Sequence, residues 1–110
     1  MAVPSINIVI ENGIDFQSVF TIDNPDGTPI DLTGYTAVAA IKKFPTSTSS
    51  IPFTVGIVAN AGQVVVSMAN TVTSTLDTGR HYYDIISISG VGIKRKLIEG
   101  MVIVNASASV

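Results

Sequence analysis

A period of two governs the stretch from residue 14 to residue 22, and it constrains the fold more than any other feature. Ile14, Phe16, Phe20 and Ile22 fall at alternate positions, with Ser18 between them. Successive side chains of a β-strand point to opposite faces, so this spacing predicts a strand with one apolar face. A helix needs apolar residues three and four positions apart, and no ten-residue window shows such a stripe with capping signals at both ends.

The composition favours the same class of structure. Val and Ile together number 29 against 3 Leu, and 11 Thr add further β-branched side chains, which favour strands. At 110 residues, with 46% hydrophobic side chains, the chain has the size of one domain and enough apolar material for a core. The sequence therefore predicts a single β domain over residues 1–110.

Turn signals divide the chain into seven or eight short strands. The Asn12-Gly13 dipeptide predicts a hairpin or a tight bend, and Pro, Asx and Gly crowd residues 23–34. Residues 71–76 are consistent with either a short strand or one helical turn. Strands spaced roughly 8–12 residues apart are typical of an antiparallel sandwich. The predicted strands cover residues 6–11, 14–22, 35–43, 53–57, 64–68, 80–89 and 93–105.

Several classes of function are disfavoured by what the chain lacks. There is no Cys, which excludes disulfides, thiolate nucleophiles and cysteine zinc sites. A net charge of -2 and a pI near 5.0 argue against a general nucleic-acid binder. No apolar run approaches the roughly 18 residues of a membrane-spanning helix, and residues 1–4 have no secretory signal pattern. We expect neither a membrane protein nor a signal-targeted one.

The residues that could support catalysis or bind metal are better explained by roles in packing and in turns. His81 is the only imidazole, and its position within a predicted strand indicates a packed side chain without a catalytic role. The three Asp of residues 23–31 suit turns. A calcium loop would place its first ligand at Ile22 and its closing carboxylate at Thr33, neither of which fits. The prediction is a non-enzymatic protein with no cofactor and no metal.

The last predicted strand carries apolar residues on both faces. In a regular strand, Ile98, Val102 and Val104 share one face, and a second apolar set shares the other. That second set either contacts another subunit, lies under a loop, or reflects a β-bulge. If it is an interface, its residues are Arg95, Leu97, Glu99, Met101 and Ile103.

Two further features suggest contact with other proteins. Only 13% of the residues are charged, about half the usual share, as expected when part of a surface is covered. A polar loop provides a second candidate contact, formed by Thr46, Ser47, Thr48, Ser49 and Ser50.

Three segments in order resemble small immunoglobulin-like domains of tailed-bacteriophage virion proteins, including the N-terminal domains of baseplate upper proteins and short structural proteins of cyanobacterial phages. They are NPDGTPIDLTGY at 24–35, LDTGRHYYDI at 76–85 and IEGMVIV at 98–104. The resemblance implies an immunoglobulin-like sandwich with a structural role in the virion, assembled in the host cytoplasm. It also implies a multicopy or homo-oligomeric protein whose partners are other virion proteins. Capsid decoration or cement, and a tail, neck or baseplate position, all agree with it.

The same resemblance raises one structural question and leaves one alternative function. The tyrosine corner of such sandwiches falls on His81, so either His81 replaces the Tyr or Tyr82 or Tyr83 serves with a shifted register. The alternative function is a carbohydrate-binding or adhesion module that uses Tyr35, Tyr82, Tyr83 and the polar loop. The absence of Trp weighs against that alternative.

Overall fold

Two β-sheets lie face to face in a computed structural model that describes residues 4–24, 26–44, 46 and 49–108. This arrangement confirms the predicted all-β sandwich, with eight strands in the described residues. Residues 70–76 contain the helical turn rather than the strand. The elements are β1 Ile8–Glu11, β2 Phe16–Thr21, β3 Thr36–Lys42, β4 Ile51–Pro52, β5 Thr54–Val58, a 3-10 turn Ala59–Ala61, β6 Gln63–Met68, α1 Asn70–Thr73, β7 Gly79–Ile88 and β8 Lys94–Asn105.

Most of the strand order is that of immunoglobulin-like sandwiches. The larger sheet runs β1-β8-β7-β3-β4 and the smaller sheet runs β2-β6-β5. In immunoglobulin-like domains the second, fifth and fourth strands likewise form one sheet, and the third, sixth and seventh form the other. With the two-residue β4 taken as an addition after the third strand, six strands match this division. β1 differs, because it lies in the sheet of the third, sixth and seventh strands and not beside the second.

The smaller sheet follows directly from the alternation in the sequence. Its strands are antiparallel, and alternate residues of the predicted strand 64–68, namely Val64, Val66 and Met68, are buried in β6. β5 and β6, which correspond to the predicted strands 53–57 and 64–68, form a hairpin. Gly62 turns it at a φ of 63°, where an added Cβ would lie 2.7 Å from two backbone oxygens.

The larger sheet departs from the predicted antiparallel pattern at its edge. β1 pairs with β8 in parallel, with Ile8 opposite Val102. Asn12-Gly13 therefore forms a tight bend that passes the chain from one sheet to the other, not a hairpin. The correction arises because parallel pairing joins distant segments and leaves no local turn signal.

A β-bulge interrupts β8 and changes which residues share a face. Ile85 lies opposite Ile98, but Ile86 lies opposite Lys96, so Leu97 is an extra residue in the strand. Lys94 and Lys96 consequently lie on the outer face, not with Ile98 as a regular strand would place them. The bulge that was one of three explanations for the two-faced strand is present.

Gly100 allows the segment before β1 to approach the sheet closely. The Ile6 amide donates a hydrogen bond to the Glu99 carbonyl over 2.9 Å, and the Met101 amide donates to Asn7 Oδ1 over 3.1 Å. A Cβ on Gly100 would lie 2.8 Å from the carbonyl carbon of Ile6. This position therefore requires glycine for space, not for an unusual φ.

A polar network ties α1 to the bend after β1. Asn12 Nδ2 donates to the carbonyls of Thr73 and Leu76 over 3.1 and 2.9 Å. The Thr73 hydroxyl, which is fully buried, accepts a bond from the Gly13 amide and donates one to the Ile14 carbonyl. These bonds fix α1 against the bend between β1 and β2.

Candidate functional site

A groove crosses the outer face of the larger sheet, over the middle of β3, β7 and β8. Its volume is about 610 Å³, within the range of ligand and docking pockets. The strand register places one row of residues across four strands: Glu99, Asp84, Ala40 and Pro52. Because the Ala40 side chain is small, it leaves the open space that forms the groove. The apolar walls are Val38, Ile86 and Met101.

Two carboxylates face each other within the groove. Asp84 and Glu99 lie directly opposite on β7 and β8, and Lys96 Nζ is 3.7 and 3.6 Å from their oxygens. Their side chains are 39% and 45% exposed, so water screens them. A catalytic acid–base pair needs one carboxyl to be kept apart from solvent, and this pair has no such burial.

The structure divides the predicted interface residues among different surroundings. Glu99 and Met101 line the groove, and Ile103 lies further along the same outer face beside Val9. Leu97 is half-buried and packs against the core. Arg95 lies opposite Ser87, on the other side of the strand from Met101. The predicted single face is wrong because the bulge reverses the alternation at Leu97.

Part of the predicted polar contact loop is exposed. Thr46, Ser49 and Ser50 are exposed, while Ser47 and Thr48 lie outside the described residues. Ser49 and Ser50 border a smaller depression of about 240 Å³ next to His81.

His81 answers the question of the corner residue. It is buried, and its Nε2 donates a hydrogen bond to the Asp77 carbonyl oxygen over 2.7 Å, back to the connecting loop. That is the bond a corner Tyr makes, so His81 replaces it. Tyr83 points into the core instead, where its hydroxyl donates to the Ile6 carbonyl over 2.6 Å. Burial raises the pKa of Tyr83 to about 12.

The predicted turn role of the acidic stretch is confirmed for two of its Asp residues. Asp26 Oδ1 accepts bonds from the hydroxyl and amide of Thr28, and Asp31 Oδ1 accepts the same pair from Thr33. The hydroxyl bonds are the main reason that the pKa of each carboxyl is lowered from its usual value. No group of three potential metal ligands occurs among the described residues.

The tyrosines considered for sugar contact do not form one platform. Tyr83 is buried, whereas Tyr82 lies on the outer face opposite Lys42 at the end of β3. Tyr35 precedes the other end of β3. Seven residues of strand separate the positions of Tyr35 and Lys42, roughly 23 Å.

The outer face of the smaller sheet is a feature that sequence reasoning missed. No charged residue occurs in β2, β5 or β6, and the middle row of their outer face is Val19, Val65 and Gly56. Part of the signal was present, because the predicted strands 53–57 and 64–68 carry no charge and the predicted strand 14–22 carries only Asp15, near its start. We call this surface the uncharged face; its outward residues are Gln17, Val19, Thr21, Thr54, Gly56, Val58, Gln63, Val65 and Ser67.

The turn between β7 and β8 forms a projecting apolar tip. The Ser89 carbonyl accepts a bond from the Gly92 amide, and the Ser89 hydroxyl accepts one from the Ile93 amide. Val91 is 84% exposed and Ile93 is 57% exposed. We call residues 89–95 the tip segment.

Comparison with known proteins gives a likeness in shape without a family. No family model and no curated protein matches the chain. Among solved structures, an internalin-like protein of Listeria monocytogenes is similar over 94% of this chain, with 9% sequence identity and a TM-score of 0.46. The chain spans 28% of the length of that protein. No helix among the described residues is long and apolar enough to cross a membrane.

Proposed function

We propose that the chain is a non-enzymatic structural protein of a tailed-phage virion that docks on other virion proteins. The observation that carries the proposal is the uncharged face. Val19 lies half exposed at its centre, and none of its outward residues bears a charge. Soluble proteins keep large surfaces charged, and the cores of protein interfaces are depleted in charge. The resemblance of residues 24–35, 76–85 and 98–104 to virion domains supports the phage assignment.

The size of the uncharged face favours a multicopy role. Three strands of about six residues cover roughly 14 by 20 Å, from the usual strand spacing and rise. A stable one-to-one interface needs about 800 Å² on each partner, which is more than this face offers. Many copies held on a symmetric particle would add their small contact energies. A capsid decoration or cement subunit and a tail, neck or baseplate component both satisfy this condition.

Sedimentation with phage particles tests the proposal. Labelled protein is mixed separately with purified capsids and purified tails of the phage whose genome encodes the chain, and the bound fraction is measured after centrifugation. We expect saturable binding to one particle type with many sites per particle. Failure to bind either one contradicts the proposed function.

Two matched variants locate the docking surface. Val19→Lys places a charge on the uncharged face, and Val9→Lys places the same charge on the larger sheet. The two side chains are similarly exposed, at 49% and 53%, so neither change should disturb the core. We expect Val19→Lys to reduce particle binding at least about tenfold and Val9→Lys to leave it unchanged. The reverse pattern would move the docking surface to the larger sheet.

A further inference from the structure

We propose that two copies of the chain pair through the free edge of β2, so that their smaller sheets join into one sheet of six strands. This inference goes beyond the proposed function, because self-pairing can hold or fail whether or not the chain belongs to a virion. It rests on peptide groups of β2 that no described residue binds and on the fit of this strand against itself.

β2 presents a row of unpaired peptide groups at the edge of the smaller sheet. In the described sheet its neighbour is β6. Just past the end of β2, the Ile22 amide donates a hydrogen bond to the carbonyl of the opposite Gly62 over 2.7 Å. Residues that bond to one neighbour alternate along an antiparallel strand, so the peptide groups of Gln17, Val19 and Thr21 face away from β6. No described residue bonds to them there.

β2 lacks the features that usually protect an edge strand, which are charges, proline, bulges or a very short length. It has six residues without a charge or a proline, and it pairs with β6 without a bulge. Of the other three edges among the described strands, β4 has two residues and ends at Pro52, and β1 ends at Glu11. Just before β5, the Phe53 amide bonds to Ala39 of β3. β2 is therefore the edge best suited to accept a further strand.

A second copy of β2 fits this edge because the strand matches itself in the antiparallel direction. With Ser18 on a two-fold axis, Phe16 lies opposite Phe20 of the second copy, and Gln17 lies opposite Val19 of the second copy. Aromatic pairs across strands stabilise a sheet. The added strand also covers Phe16 and Ser18, which lie on the core side of β2 but are only half-buried.

The charges that flank β2 select this register. With Ser18 on the axis, Asp15 lies opposite Thr21 of the second copy, so a carboxylate meets a hydroxyl. With Val19 on the axis, Asp15 would lie opposite Asp23 of the second copy. Like charges directly opposite each other destabilise a pair of strands. The strand therefore pairs with itself about Ser18.

This pairing is closed and changes the shape of the proposed docking surface. The same edge is used by both copies, so the contact is isologous and stops at a dimer. A two-fold axis perpendicular to the joined sheet keeps both uncharged faces on the same side. The dimer thus presents one continuous uncharged surface of about twice the area of one copy.

Sedimentation velocity of the purified full chain, at concentrations up to about 1 mM, tests the pairing. We expect monomer and dimer in exchange and no larger species. Val19→Pro removes one amide donor per copy from the free edge and keeps the bonds to β6, so it should weaken dimerisation at least about tenfold. Val19→Thr keeps the amide and the β-branched shape, and it should dimerise like the wild type. Circular dichroism checks that both variants are folded.

Cysteine cross-linking tests the register and does not depend on the proline variant. The chain has no Cys, so Ser18→Cys places a single thiol on the two-fold axis. Ser67→Cys is the matched control, because Ser67 is also half-buried but lies on the central strand β6. Under mild oxidation, disulfide-linked dimers should form at least about tenfold faster with Ser18→Cys.

Three results would each overturn the inference. They are a wild type that stays monomeric, a folded Val19→Pro variant that dimerises normally, and cross-linking at position 18 that is no faster than at position 67. If Val19→Pro does not fold, the wild-type mass and the cross-linking rates decide the question without it.

Discussion

The two sheets of this sandwich reach stability by different means. In the smaller sheet, three antiparallel strands alternate regularly, and the outer face carries no charge. In the larger sheet, one strand is parallel, one contains a bulge, and charged side chains stand on the outer face. These charged residues are Glu11, Lys42, Arg80, Asp84, Lys94, Lys96 and Glu99.

Single residues matter more in the larger sheet than in the smaller one. The smaller sheet depends on a repeated pattern, so one altered outward side chain changes little. The larger sheet depends on specific contacts, such as the fit of Gly100 against Ile6 and the bond from Tyr83 to the Ile6 carbonyl. The proposed docking surface follows the same division, since it lies on the regular sheet, whereas the groove lies on the irregular one.

The largest difference in stability between the two sheets is expected when one glycine in each is replaced by alanine. Gly100→Ala should lower the free energy of unfolding by about 3 kcal/mol, because the new methyl group overlaps the backbone of Ile6. Gly56→Ala in the smaller sheet meets nothing within 4 Å and should change it by less than about 0.5 kcal/mol. Urea denaturation of both variants measures the contrast. Equal losses would show that the close approach at Gly100 is unimportant.

A smaller effect is expected at the hydroxyl that holds the segment before β1. Tyr83→Phe leaves the Ile6 carbonyl without its side-chain donor. The substitution should lower the free energy of unfolding by about 1–2 kcal/mol at pH 8. Tyr82→Phe, on the outer face, is the control and should lower the free energy of unfolding much less.

The same variant has a pH signature. The pKa of Tyr83 is raised from 10.0 to about 12, so the unfolded chain loses this proton at lower pH than the folded one. The stability linked to this proton is complete below about pH 10 and is lost as the pH rises towards about 12. Wild type should therefore lose stability over this window more steeply than Tyr83→Phe. Parallel curves would contradict the assigned burial.

The smallest predicted effect concerns the charges that only the larger sheet carries. Lys96→Met leaves Asp84 facing Glu99 and should lower the free energy of unfolding by about 0.5 kcal/mol at low salt. The effect is small because all three groups are partly exposed and water screens them. The difference should shrink in 1 M salt, which reduces the Debye length to about 3 Å. Lys43→Met, at a position without an ion pair among the described residues, is the control. A cost that does not respond to salt would indicate packing instead.

Much of the sandwich could be predicted from alternation and turns, and the misses have physical causes. Phe20, Ile41, Val66 and Ile85 are buried where a period of two places them. Such patterns act over a few residues. The parallel pairing of β1 depends on contacts that join distant segments, so no local pattern marks it.

The candidate site was less predictable than the fold. The bulge at Leu97 changes the face of every residue before it, and nothing in the run from Lys94 to Glu99 indicates where the alternation breaks. Glu99 and Met101 were placed on one outer face, but their partners Asp84 and Tyr82 come from β7, whose pairing register fixes the groove. The uncharged face, by contrast, could be predicted from three strands in which Asp15, near the start of the first, is the one charged residue.

The parallel pairing of β1 with β8 also sets an order of events during synthesis. Residues 98–105 leave the ribosome long after residues 8–11, so β1 has no partner while most of the chain is being made. Ile8 and Ile10, both buried in the finished protein, lack the cover of β8 throughout that interval. An unpaired apolar strand is prone to aggregate. Translation that pauses before residue 98 should therefore produce an insoluble intermediate, and β8 completes the fold.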